Sequence, residues 1–133
     1  MTFRLKIVTP DGLIYDGQAE QLIVRAVTGD VAILARHINY VTPLGMGRAV
    51  VIADGKRRIA ACIGGMLSVV DGEVTLVPTT FEWADQIDVE RAKKAHEKAQ
   101  GVLSSGSASE TDLKLAEAKL HRSLIRQSVA SYK

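Results

Sequence analysis

One change of composition, close to residue 85, limits what this chain can fold into more than any motif does. Residues 2–80 hold all three prolines and nine of the eleven glycines, spread among short runs rich in β-branched residues. From Asp88 on, the sequence is charged, alanine-rich and without proline. Glycine and proline punctuate short strands, whereas alanine among alternating charges suits helices. The expected organisation is a β domain over residues 1–84 and a helical domain over residues 85–133.

The β part can be read strand by strand. "TFRLKIV" at 2–8 alternates apolar and polar residues, the pattern of a half-buried strand. Pro10-Asp11-Gly12 and Asp16-Gly17 read as turns around a short apolar run. "EQLIVRAV" and "DVAIL" read as further strands. Two hairpins follow, "RAVVIADGKRRIAACI" and "GMLSVVDGEVTLV", with Asp54-Gly55 and Asp71-Gly72 as two-residue loops. Many short strands joined by tight turns imply a sandwich or barrel. A length of 133 residues, 47% hydrophobic and 24% charged, suits one globular core with a small appendage.

The rest reads as two helices, over 88–103 and 111–131. Asp88 suits the N-cap of the first, with Glu90 in its first turn. "GVLSSGSASE" interrupts the helical pattern, after which Thr111 or Ser109 can cap the second helix. Ala92, Ala95, Ala99 and Leu103 form one apolar stripe. Leu113, Ala116, Leu120 and Leu124 form the other, with Leu115, Ile125 and Val129 beside it. These stripes predict an antiparallel hairpin with a thin seam. At about 0.8 kcal/mol per buried CH₂, mostly alanine contacts are worth only a few kcal/mol. Such a hairpin suits a switch, and a floppy tail would read the same way.

Several function classes drop out. The single cysteine, Cys62, excludes an internal disulfide and sits in an apolar run that suits a core thiol. No apolar run approaches the roughly 20 residues of a membrane span. The alternating N-terminus reads as a strand and not as a cleaved signal. These features point to a chain in the cytosol or peripheral on a membrane-bound assembly. No phosphate loop, nucleophile elbow, carboxylate pair or zinc spacing is present, which argues against an enzyme or a metal site. His37, the one histidine of the β part, reads as a loop or interface residue.

Charge is uneven although the net value is only +2: residues 1–86 carry 8 Lys/Arg against 9 Asp/Glu, and residues 87–133 carry 9 against 6. After Glu117 come Lys119, Arg122, Arg126 and Lys133 with no acidic residue among them. A basic end suggests an acidic or phosphate-bearing partner, and a solvated face is the plain alternative. In a closed hairpin, Arg122 and Arg126 are expected to approach Asp88 and Arg91. Converging guanidinium groups favour an anion between them, and a helix N-terminus favours the same anion.

Taken in order, "VTPDGLIYDG", "AILARH" at 32–37, "IGGMLSVVDGEVTLV" at 63–77 and the closing "RQSVASYK" resemble the epsilon subunits of bacterial F-type ATP synthases over the whole chain. The resemblance implies a β-sandwich of about ten strands followed by a two-helix hairpin. It implies a non-catalytic central-stalk subunit of a proton- or sodium-translocating synthase, peripheral on the cytoplasmic side of the plasma or inner membrane. The implied partners are the gamma subunit, the rotor c-ring and the alpha/beta catalytic hexamer, with no nucleic acid and no insertion into the membrane. The hairpin is expected to lie down or to rise and inhibit ATP hydrolysis. His37, Lys119, Arg122 and Arg126 are the expected partner contacts.

Members of that family that bind ATP open the first helix with I/L-D-x-x-R-A, which Ile87-Asp88-Val89-Glu90-Arg91-Ala92 matches. The resemblance adds Glu82, Arg122 and Arg126 to this regulatory ATP site. Lys98 departs from the pattern, since the family places arginine there and lysine lacks the two-pronged geometry. Ala35 and Asn39 depart where the family has prolines around its histidine. Two other readings stay open: a purely mechanical brake that binds no ATP, and a free sandwich module with a helical oligomerisation tail.

Overall fold

Alternation in β1 (Phe3–Thr9) buries Phe3, Leu5, Ile7 and Thr9 and turns Arg4 and Lys6 to solvent. In the computed structural model, which describes residues 1–132, nine further strands follow: β2 (Gly12–Ala19), β3 (Gln21–Ala26), β4 (Gly29–Leu34), β5 (Tyr40–Pro43), β6 (Met46–Ala53), β7 (Lys56–Ile63), β8 (Met66–Val70), β9 (Glu73–Val77) and β10 (Thr80–Trp83). β3, β8 and β9 follow the same two-residue logic as β1, whereas β6 and β7 are buried over consecutive residues, Ala49 to Val51 and Ile59 to Ile63. They form two five-stranded sheets, ordered β2-β1-β9-β8-β5 and β10-β7-β6-β3-β4. Leu5, Ile7, Leu67, Val69 and Leu76 of the first sheet and Leu22, Val24, Ile33 and Val51 of the second enter one core. The architecture is the β-sandwich with a following helix pair that the sequence implied.

Both expected hairpin loops are present with the required backbone. Asp54 and Gly55 have φ of 52° and 73°, and Asp71 and Gly72 have φ of 50° and 83°. Positive φ at both positions matches the turn to the twist of the flanking strands. Asp16-Gly17, in contrast, is no turn. It lies inside β2, where Asp16 pairs with Lys6 and Gly17 with Leu5. The reason is the partner: β1 offers hydrogen bonds along its whole length, and the ladder overrides the local turn preference. Arg4 then holds the Asp16 carboxylate from β1, Nη2 to Oδ1 at 3.1 Å. The short strands β5 and β10, four residues each, carry no pattern that separates them from loop in the sequence.

At one end of the sandwich, Gly64 and Gly65 take φ of 68° and 97°. Leu44 donates to the Gly65 carbonyl at 2.8 Å and Gly64 donates to that of Gly45 at 3.0 Å. A Cβ on Gly65 would overlap the backbone of Val77 and Pro78. At the other end, Arg58 lies 3.7 Å from the centre of the Trp83 ring, which meets Phe81 edge-on at 4.9 Å.

The chain divides into two compact units, one ending at Trp83 and the other beginning at Ala84. The second opens with a 3₁₀ turn, Ala84–Gln86, followed by α1 (Val89–Ser104) and α2 (Glu110–Ala130). Asp88 caps α1, accepting from the Arg91 N–H at 3.1 Å, and Ser109 caps α2 through the Asp112 N–H at 3.1 Å. The helices pack against each other, but the seam differs from the expected stripes. Ala95 is exposed and His96 is half-buried in its stead; Leu124 is 46% exposed while Ser123 is 1% exposed. Leu115 also faces solvent. Buried and half-buried positions step 92, 96, 99, 103 on α1 and 113, 116, 120, 123, 127, 130 on α2, with Val129, 1% exposed, buried outside that row. That spacing of about 3.5 residues is how two packed helices keep one face together, whatever letters stand there.

Replacing Gly65 with alanine is expected to destabilise the sandwich by at least about 2 kcal/mol, through positive φ and backbone overlap together. Urea unfolding would show it as a lowered midpoint with unchanged slope. Cys62 gives a second expectation, because burial pushes its thiol up from 9.0 to about 12. Unfolding then releases a proton above pH 9. Stability is fully present below pH 9 and falls by about 1.4 kcal/mol per pH unit as the pH rises towards 12. Urea midpoints measured against Cys62→Ala check this, since the variant should lack that part of the slope.

Candidate functional site

The segment Ile87–Ala92 works as a local device for starting a helix. The Ile87 N–H donates to the Ala84 carbonyl at 3.4 Å, which closes the 3₁₀ turn, and its side chain is buried. Asp88 is extended, at φ −82° and ψ 98°, so its carboxylate can turn back onto the first free N–H groups of α1. Glu90 adds a negative charge in the same turn. Arg91 is exposed and Ala92 enters the seam. Ile87, Asp88 and Ala92 thus each have a structural reason to stand where they do, whereas the Arg91 side chain is exposed and forms no ion pair among the described residues.

The contact between the helices sets how the basic residues lie. Gln127 Nε2 donates to His96 Nδ1 at 3.3 Å, so these residues are level along the pair. With antiparallel helices, Arg126 is then level with Glu97 and Arg122 with Gly101. At about 1.5 Å per residue, Arg91 lies some 9 Å along the axis from Arg126. Along the axis the basic positions are thus staggered, with Arg91 at one end and Arg122 at the other. Lys98, which the sequence reading set apart as a departure, is the α1 cation level with the α2 arginines. Helical spacing puts Arg91 and Lys98, seven apart, on one flank of α1, and Lys119, Arg122 and Arg126 on one flank of α2. With the two seams facing, both flanks turn to the same side of the pair.

Arg122 and Arg126 are half-buried, whereas Arg91, Lys98 and Lys119 are exposed. Among the described residues, Arg91, Lys98, Lys119 and Arg122 belong to no ion pair. The exposed pairs Lys93–Glu90 at 3.9 Å and Lys114–Glu110 at 3.7 Å contribute little. Glu82 lies on β10 in the first unit, half-buried and opposite Ala61. Lys133 lies outside the described residues. The α2 helix also packs on the 3₁₀ turn, which draws its C-terminal end to the start of α1.

His37 is held in the loop after β4. Its N–H donates to the Leu34 carbonyl at 3.3 Å, and its ring stands 5.9 Å from that of Tyr40. Ala35 and Arg36 make the turn, with Arg36 at φ 67°. Asn39 has a structural task that the sequence reading missed: its Oδ1 accepts from the Asp71 N–H at 2.8 Å, tying this loop to the β8–β9 turn. Beside it, Leu34, Ile38 and Val41 are 55%, 76% and 60% exposed. The sequence reading also missed His96, Ser123 and Gln127. The signal that finds them is polar residues recurring every 3.5 positions between small ones.

Among the described residues no group of three His, Cys, Asp or Glu could hold a metal, and no helix is long and apolar enough to cross a membrane.

Comparison with known proteins agrees with this organisation. The family described as "ATP synthase, Delta/Epsilon chain, beta-sandwich domain" matches residues 2–84, and "ATP synthase, Delta/Epsilon chain, long alpha-helix domain" matches residues 85–131. The chain is 39% identical over 132 residues to an ATP synthase epsilon chain of Shouchella clausii, covering 99% of this chain and 97% of that one. It is 42% identical over 129 residues to that of Bacillus subtilis, covering 97% of each. Among solved structures, a chain of the Euglena gracilis mitochondrial ATP synthase (OSCP/F1/c-ring) superposes with a TM-score of 0.84 at 24% identity, over 99% of this chain and 82% of that one. A chain of the Tetrahymena thermophila central stalk/c-ring assembly gives 0.68 at 9% identity, over 96% and 95%. These structures share the fold. With both units matched in order and full-length relatives near 40% identity, the chain belongs to the ATP synthase delta/epsilon-chain family.

Proposed function

We propose that this chain is a non-catalytic central-stalk subunit of an F-type ATP synthase whose helical unit is a nucleotide-sensitive brake. The sandwich binds the gamma subunit and the rotor c-ring, and the helices act on the alpha/beta catalytic hexamer. Family membership supports the stalk role, and so do the printed titles of the structural neighbours, which are an F1/c-ring assembly and a central stalk/c-ring assembly. The exposed Leu34, Ile38 and Val41 around His37 suit a partner-covered surface. The chain would sit at the membrane as part of that complex.

The observation that carries the regulatory reading is the line of cations along one side of the helix pair. Arg91, Lys98, Arg126 and Arg122 span roughly 15 Å along the axis. A compact anion would meet only part of that line, whereas ATP, with base, ribose and three phosphates in a row, can meet all of it. Asp88 at the end of the line can accept from an adenine amino group. Lysine at 98 gives charge without a fork, so the grip there is weaker than arginine would provide.

The energetics suit a switch. A ligand that binds only the closed hairpin stabilises it by RT ln(1 + [L]/Kd), about 2.7 kcal/mol at a hundredfold excess. That is a sizeable fraction of what a short seam of alanine, leucine, serine and glutamine contacts supplies. ATP therefore shifts the population as far as its differential affinity allows. The purely mechanical brake draws on a different observation: exposed Leu115, one turn before Lys119 on the same side of α2, offers a protein partner a contact that needs no nucleotide.

Millimolar ATP is expected to raise the melting temperature of the isolated chain by several degrees without being hydrolysed, and Arg122→Ala and Arg126→Ala should each remove most of that rise. Thermal unfolding and calorimetric titration check this. No heat at millimolar ATP would leave the mechanical brake as the surviving reading. Retention of gamma subunit on the immobilised chain tests the stalk role separately.

A further inference from the structure

The inside of the helix pair is more polar than its apolar residues suggest. His96 on α1 and Ser123 and Gln127 on α2 occupy neighbouring seam positions where tightly packed helices place leucine. Ser123, 1% exposed, satisfies its hydroxyl within its own helix by donating to the Leu120 carbonyl at 2.7 Å. Gln127 Nε2 donates across the seam to His96 Nδ1 at 3.3 Å, both side chains being half-buried.

A directional bond in such a seam has two consequences. Sliding one helix along the other separates this donor from this acceptor and leaves each half-buried without a partner. One register is therefore favoured, where a seam of alanines alone would tolerate several. Full opening is different, because water then satisfies both groups. The other seam residues near them, Ala92, Ala99, Ser123 and Ala130, expose little apolar surface on opening. The pair thus penalises a slipped closed state far more than an open one.

We propose that His96 and Gln127 form a polar latch that sets the register of the closed hairpin and keeps its opening reversible. The inference rests on the reading that the hairpin opens in service, and it deepens that reading by naming what makes the closed state single and releasable.

Hydrogen exchange on the full-length chain, with no nucleotide and no partner, tests it. His96→Leu with Gln127→Leu should slow exchange of the α1 amides from Ala92 to Leu103 at least tenfold, because two apolar side chains now meet. Each single leucine variant should exchange faster than the wild type, since one polar group then faces leucine. The double variant must therefore depart from the product of the single effects by well over tenfold. An alanine cycle at the same positions removes atoms without adding bulk. There the second substitution should add little to the first. Effects that simply multiply in both cycles, or a double-leucine variant that exchanges as fast as the wild type, would overturn the latch. Coupled cycles in a chain that ignores ATP would sink the nucleotide reading alone and support the latch.

Discussion

The parallel pairing of β1 with β9 holds the first sheet together, and much else depends on it. Arg4 to Ile7 run beside Glu73 to Leu76, strands separated by nearly the whole sandwich sequence. All other strand pairs in the two sheets are antiparallel. Without this contact the β1–β2 hairpin would be a separate ribbon, too small to persist in water. With it, Leu5 and Ile7 join Leu67, Val69 and Leu76 in one inner face, and the second sheet has a core to close on. Loop closure on this scale is slow but tolerable in equilibrium terms, because its entropy grows only with the logarithm of length.

The helical unit is governed by the opposite arrangement. Its contacts are local in sequence, its seam is small and partly polar, and its caps carry much of the definition at each helix start. Asp88 and Ser109 each satisfy an N–H group that would otherwise lack a partner. A unit built this way forms easily and is released easily. The sandwich core, lined by residues with almost no exposure, supplies the rigid counterpart. Division at Trp83 and Ala84 therefore separates a unit packed through long-range strand contacts from a helical unit packed through local ones.

Much of this was legible in the sequence, element by element. The first strand, both Asp-Gly hairpins, the two caps and the boundaries of both helices to within a residue or two follow from local rules. The candidate site was legible in composition but not in arrangement. Ile87, Asp88, Ala92 and the basic residues of α2 could be named, yet their levels along the hairpin could not, because the level is set by a seam whose register no apolar pattern revealed. Leu124 looked like a core residue because it follows Leu120 by four, whereas the packed helices step to Ser123. Asn39 looked like a departure from its family and proves to hold a neighbouring turn.

The sequence by itself determined the features that a few neighbouring residues control: positive φ at Asp-Gly, capping by a short polar side chain, alternation along β1, and the passage from strands to helices. Only the tertiary structure decided whether Asp16-Gly17 would turn or continue, which faces of α1 and α2 would meet, and where the cations would stand relative to one another. Those outcomes depend on partners distant in the chain. A strand beside β2 or a helix beside α1 supplies hydrogen bonds and excluded surface that outweigh any preference of the residues taken alone.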